Sequence, residues 1–109
     1  MAAEEIYYNG FCNVGVIYDE SHVYSCGIYK AFKNRMAELN ISYTVQRFNE
    51  ENNVDFSAQA LALADCDVVF MPIYYNEAYL FITKSVELGS NAVFLGAIHL
   101  TVSRSSFLV

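Results

Sequence analysis

The chain has 109 residues, enough for one domain that buries roughly two-thirds of its unfolded-chain surface and too few for a second core. It is acidic, with 12 Asp and Glu against 6 Lys and Arg and a net charge of −6, and its cations are scattered from Lys30 to Arg104. The lack of a basic stripe excludes nucleic acid as a partner. No apolar stretch approaches the ~20 residues of a membrane span, and Met1 to Glu5 is acidic where a signal peptide is basic, so no export address is expected in the sequence as it stands.

In chain order, Ala3 to Tyr8, closed by Gly10, reads as a short helix. Val14 to Tyr18 is an apolar run of strand type, and Ile28, Phe32, Met36 and Leu39 then recur at helical spacing among Lys30, Lys33, Arg35 and Glu38. Ile41 to Phe48 alternates with period two in β-prone residues, the pattern of an edge strand with one less buried face. After the polar turn from Asn49 to Asn53, Asp55 is suited to N-cap a short helix over Phe56 to Ala64.

Asp67 to Met71 is the most continuous apolar run, as expected of a strand covered on both faces, and Pro72 ends its pairing. Asn76 is placed to cap a helix that turns Ala78, Phe81, Ile82 and Ser85 inward and stops at Gly89. Ala92 to Leu95 completes the set as a fourth strand.

Strands and helices that alternate with connections of this length call for right-handed crossovers and a parallel sheet. The predicted fold is therefore α/β and Rossmann-like: about four parallel strands in the flavodoxin-like order 2-1-3-4, with helices on both faces. In such sheets ligands bind at the carboxyl ends of the strands, where the winding reverses. Two polar, tyrosine-bearing loops emerge there, Asp19 to Tyr24 and Tyr74 to Glu77, and they suggest one shared site for a small polar ligand.

Catalysis is not expected. The glycines are isolated, with neither GxGxxG nor GxxxxGK[ST], so no loop cradles phosphates or a dinucleotide cofactor. A phospho-acceptor domain of this shape would end its third strand with Asp, but Met71 and Pro72 stand there. Cys12, Cys26 and Cys66 form no CxxC and read as free thiols, while His22 and His99 share no ligand spacing, so no metal is expected and His22 is taken as a loop residue. Hydrophobic residues make up 55% of the chain, above the usual ~45–50%, which predicts an apolar face that meets another surface.

Two stretches, VGVIYDESHVYSCGIYKAF from Val14 to Phe32 and DFSAQALALADCDVVFMPIYYNEAYLFITKSVELGSNAVFLGA from Asp55 to Ala97, resemble the C-terminal lobe of type I periplasmic binding proteins. The likeness is nearest to the leucine/isoleucine/valine branch, the solute receptors of ABC importers. The DFSAQ, PxYYxEA and FLG segments fall in that family's order and spacing over residues 5–97. Residues 98–109 depart from it and read as a tail outside the lobe.

The resemblance implies a lobe that closes with a second lobe over a branched-chain or related amino acid and delivers it to an ABC permease, outside the cytoplasm, in the periplasm or lipid-anchored at the cell surface. It implies that Tyr24, in the D-x(4)-Y-S-x-G turn, packs on the ligand and that Tyr74 contacts its amino end. Asp19 and Ser21 share the first loop and are expected to shape it or to hydrogen-bond the ligand, and Tyr75 and Glu77 complete the candidate set. The family places an acid two residues after FLG to pair with the ligand's ammonium, but Ile98 stands there. Its absence predicts a loss of roughly 1.5–3 kcal/mol. With one jaw expected, the chain reads as a truncated lobe, and the sheet edge and apolar patch that the resembled lobe covers with later chain are expected to make it a homo-oligomer. The alternatives are a self-associating flavodoxin-like interaction domain and the ligand-binding lobe of an extracellular sensor.

Overall fold

In a computed structural model that describes residues 6, 8, 10, 13–49, 55–96 and 101–102, the chain alternates strand and helix as the hydrophobic periods predict. The strands are β1 (Val14–Asp19), β2 (Thr44–Phe48), β3 (Val68–Met71), β4 (Val93–Gly96) and β5 (Thr101–Val102). The helices are α1 (Val23–Glu38), α2 (Ser57–Ala62) and α3 (Tyr75–Glu87). The strands form one sheet in the order β2-β1-β3-β4-β5, parallel from β2 through β4. The expected order 2-1-3-4 is therefore present, with β2 at the edge.

The fifth strand is an addition to the expected four. Thr101 and Val102 pair antiparallel with Leu95 and Phe94, so the carboxyl-terminal segment covers the edge of β4. The expected amino-terminal helix falls partly outside the described residues. Ile6 and Tyr8 have helical backbone, Ile6 is fully buried, and Gly10 takes a positive φ.

Strand alternation divides the core into two layers. Val14, Val16, Val68, Phe70 and Leu95 pack against Phe32 and Met36 of α1 on one face. On the other face, Ile17, Val69, Met71 and Phe94 meet Phe56, Ala60 and Leu63 around α2 and Phe81 and Ile82 of α3. Edge-to-face contacts link Phe48, Phe56, Phe81 and Phe94 through this second layer, with ring centroids 4.9, 6.3 and 6.1 Å apart. Gly15 is what lets the turn that follows α2 approach β1 so closely. A Cβ there would lie 2.8 Å from Cys66 Sγ and 2.9 Å from Leu63 Cδ2.

The helix ends show where sequence signals succeed and fail. At Gly89 (φ +86°), the Ser90 N–H donates to Ser85 O and the Gly89 N–H to Val86 O, a Schellman stop. Asn40 (φ +57°) ends α1 the same way, with Ile41 N–H donating to Met36 O. Asp55 acts one residue earlier than expected, because Phe56 holds the N-cap position while the Asp55 carboxylate accepts the Ser57 N–H at 3.0 Å and the Ser57 hydroxyl at 2.6 Å. Those bonds hold the Asp55 carboxyl below the usual carboxylate range.

Asn76 does not cap α3. The helix starts at Tyr75, Tyr74 is its N-cap with extended backbone and no side-chain cap, and Asn76 lies exposed inside the first turn. The proline explains the shift. A residue at Pro72 cannot donate to the ladder, so the chain turns away from β3 at once and reaches helical geometry sooner than the side-chain signal suggests.

Candidate functional site

At the carboxyl end of the sheet the central pair of strands comes apart. β1 stays beside β2 to its last residue, Asp19↔Phe48, and β3 stays beside β4 through Met71↔Gly96. The β1–β3 register, however, stops at Val16↔Phe70. The last residues of β1 thus diverge from β3 at the point where the order of strands reverses, and the two loops that leave these strands flank a shallow depression.

The first loop is ordered by Asp19, which is buried to 8% exposure. Its Oδ1 accepts the Ser21 N–H at 2.9 Å and the Ser21 hydroxyl at 2.6 Å, so Ser21 acts on the loop through Asp19. The His22 N–H donates to Asp19 O at 3.2 Å, and the Glu20 N–H donates to Phe48 O at 2.8 Å, which ties the loop to the edge strand. Arg47 approaches Glu20 at 3.4 Å outside the depression.

Tyr24, in the first turn of α1, and Tyr74, just before α3, face each other across the depression. Their rings are nearly parallel, 5° apart in plane, with centroids separated by 6.4 Å. They are 51% and 53% exposed, and side chains that size do not stay half open to water when they serve the core. His22 sets its ring edge-on to Tyr74 at 4.7 Å, and its Nδ1 is buried without a hydrogen-bond partner among the described residues.

Of the six predicted site residues, Asp19, Tyr24 and Tyr74 line the depression, and Ser21 braces it from behind. Tyr75 and Glu77 fall in the first turn of α3, where Glu77 is half-buried and complements the positive end of the helix. Glu77 is not among the described lining residues. His22, Ser25, Pro72 and Ile73, none of them among the predicted site residues, also line the depression. His22 is the N-cap of α1 rather than a simple loop decoration.

Ser25 is 2% exposed and bridges the two loops: its Oγ accepts the Asp19 N–H at 2.9 Å and donates to Pro72 O at 2.6 Å. No local signal marks Ser25, because its acceptor lies 47 residues away in the sequence.

Among the described residues, the lining includes a carboxylate, an imidazole and two phenol rings but no Lys or Arg. Two open π faces beside a carboxylate suit an apolar side chain joined to an ammonium group, since ring faces attract cations by about 0.5–1 kcal/mol at exposed sites. Among the described residues, no cluster of His, Cys, Asp and Glu has metal-binding geometry, and no helix is long and apolar enough to cross a membrane. Cys66 is half-buried at the other end of the sheet, and burial, followed by its neighbours Asp65 and Asp67, pushes its thiol up.

No protein-family model matches the sequence, and no curated protein does. Solved structures do. A leucine binding protein, LivK, from Thermotoga maritima aligns over 87% of this chain with 30% identity and a TM-score of 0.74. A branched chain amino acid ABC transporter periplasmic ligand-binding protein from Burkholderia xenovorans aligns over 91% with 13% identity and a TM-score of 0.76. A substrate-binding periplasmic protein from Ralstonia solanacearum aligns over 87% with 15% identity and a TM-score of 0.74.

The chain thus has the fold of a lobe of periplasmic binding proteins, and it spans only 28%, 28% and 27% of the lengths of those three structures. By their names they are binding proteins rather than enzymes.

Proposed function

We propose that this chain is the solute-binding lobe of a type I, branched-chain-type amino-acid receptor that serves an ABC importer, with no catalytic role. Residues 1–97 form the lobe and residues 98–109 a tail appended to it. The observation that carries the reading is the half-exposed, parallel pair Tyr24 and Tyr74 at the carboxyl ends of β1 and β3, beside the buried Asp19. The 30% identity to a leucine binding protein over most of this chain supports the same ligand class. In this reading the ligand's side chain lies against the tyrosine rings and its ammonium faces Asp19, which takes the role of the acid that Ile98 displaces. The site is open on the side where a second lobe would close, and the receptor operates outside the cytoplasm with a permease as its partner.

One jaw makes only part of the contacts, so free leucine, isoleucine or valine binds this chain with a Kd weaker than about 1 mM, near −4 kcal/mol. Amide shifts in a titration of the labelled chain measure it. Saturable shifts in the Asp19 to Tyr24 and Ile73 to Glu77 segments at millimolar leucine support the proposal. No shift at tens of millimolar contradicts amino-acid binding, and micromolar affinity contradicts the half-site. Self-association is the second reading. It is favoured by β2, whose outer side has no strand beside it among the described residues and whose Val45 is 40% exposed. Light scattering that gives a monomer mass at tens of micromolar would contradict it.

A further inference from the structure

The gap between β1 and β3 leaves backbone groups that a continuing ladder would have paired. Beyond Val16↔Phe70 the two strands no longer face each other, yet β1 runs on to Asp19 and β3 to Met71. The Asp19 N–H and the Pro72 carbonyl both sit in this opening, and Pro72 has no N–H with which to rebuild a backbone bond. A buried, unpaired amide or carbonyl is costly, so something must satisfy the pair. The Ser25 hydroxyl does so with one oxygen, accepting from Asp19 at 2.9 Å and donating to Pro72 at 2.6 Å.

The geometry points to Ser25 as the positioning residue of the crevice: its hydroxyl replaces the missing ladder rung, fixes the distance between the two loops and thereby sets the spacing of Tyr24 and Tyr74. Tyr24 is its immediate neighbour on α1, and Tyr74 follows Pro72 by two residues, so each aromatic face is carried on one end of the bridge. Cys26 reinforces the same joint weakly, its thiol donating to Asp19 O at 3.5 Å. The spacing that results is 6.4 Å between ring centroids, within the range of offset aromatic pairs. Ser25 touches no ligand in this account and acts through the two loops. As a statement about the ligand site it rests on the proposed function above, whereas as a statement about loop spacing it does not.

The test uses the full chain with Ser25→Ala, and Ser25→Cys as a variant that keeps the volume while weakening both bonds. In Ser25→Ala, hydrogen exchange at the Asp19 amide speeds up by about tenfold relative to the amides of Val16 and Val69, the ratio expected for one lost hydrogen bond. The ring resonances of Tyr24 and Tyr74 move, while those of Tyr18 and Tyr29 stay in place. Leucine-induced shifts weaken by about tenfold, and Ser25→Cys falls between the two in every readout.

A merely structural serine would speed exchange at Asp19 and the core alike and leave the crevice rings unmoved, and that result overturns the proposal. Should Ser25→Ala fail to fold, unchanged Tyr24 and Tyr74 resonances in Ser25→Cys overturn it equally. If wild-type chain shows no leucine-dependent shift, the proposed function fails, and the loop-spacing claim is decided by the ring resonances and Asp19 exchange.

Discussion

Tyr18 and Tyr29 stack at 4.3 Å on the flank of α1, with the Tyr29 and Tyr43 hydroxyls 3.4 Å apart, whereas Tyr24 and Tyr74 face each other at 6.4 Å at the amino end of the same helix. The flank group continues inward, because Tyr43 and Phe70 both contact Phe32, at 5.8 and 4.6 Å, so its rings are an extension of the core. The crevice pair has no such backing and keeps about half its surface in water. The lesson is that aromatic content by itself does not locate a site. What separates the two groups is whether the rings pack onward into the buried core or stay half open to water.

The difference can be broken at its strongest point first. Phe70→Ala removes the inner end of the flank stack from a position that is 4% exposed and should cost about 3–5 kcal/mol in denaturant unfolding. Tyr29→Ala, half-buried between Tyr18 and the core, should cost about 2 kcal/mol by the same measure. Tyr24→Ala and Tyr74→Ala should stay within roughly 1 kcal/mol of the parent while abolishing leucine-induced amide shifts. A melt that ranks Tyr24→Ala beside Phe70→Ala would move that tyrosine into the core and end the contrast.

The smallest effect is one of pH. Burial, with the Tyr43 hydrogen bond, pushes the Tyr29 phenol up from 10.0 to about 12. A group whose pKa is higher folded than unfolded contributes stability that is fully present below its unfolded value. Here that contribution holds below about pH 10 and is lost as pH rises through about 12. Unfolding free energy measured across that window should decline less steeply in Tyr29→Phe than in the parent. An equal decline would mean that Tyr29 is no more buried than the crevice tyrosines.

The sequence made the sheet legible because its strands differ in kind. Val68 to Met71 is apolar throughout and lies buried on both faces, while Thr44 to Phe48 mixes polar with apolar residues, buries only Phe48 and lies at the edge. Gly89 announced its helix end through a backbone need that no other residue type meets as readily. The crevice was legible as two loops, and Asp19, Tyr24 and Tyr74, named from those loops, line it. Ser25 was not, since its role depends on where two strands part, and register is a property of the assembled sheet. Asn76 misled for a related reason, as Pro72 displaced the start of α3 and a good cap residue was left inside the helix.

The central claim is that a ligand meets the crevice tyrosines and not the flank ones. Intermolecular nuclear Overhauser effects between leucine methyl protons and the tyrosine ring protons, at millimolar leucine, test it most directly. The account predicts cross-peaks to both Tyr24 and Tyr74 and none to Tyr18, Tyr29 or Tyr43. Cross-peaks to the flank group, or none to either crevice ring under conditions where leucine shifts the chain's amides, would contradict it.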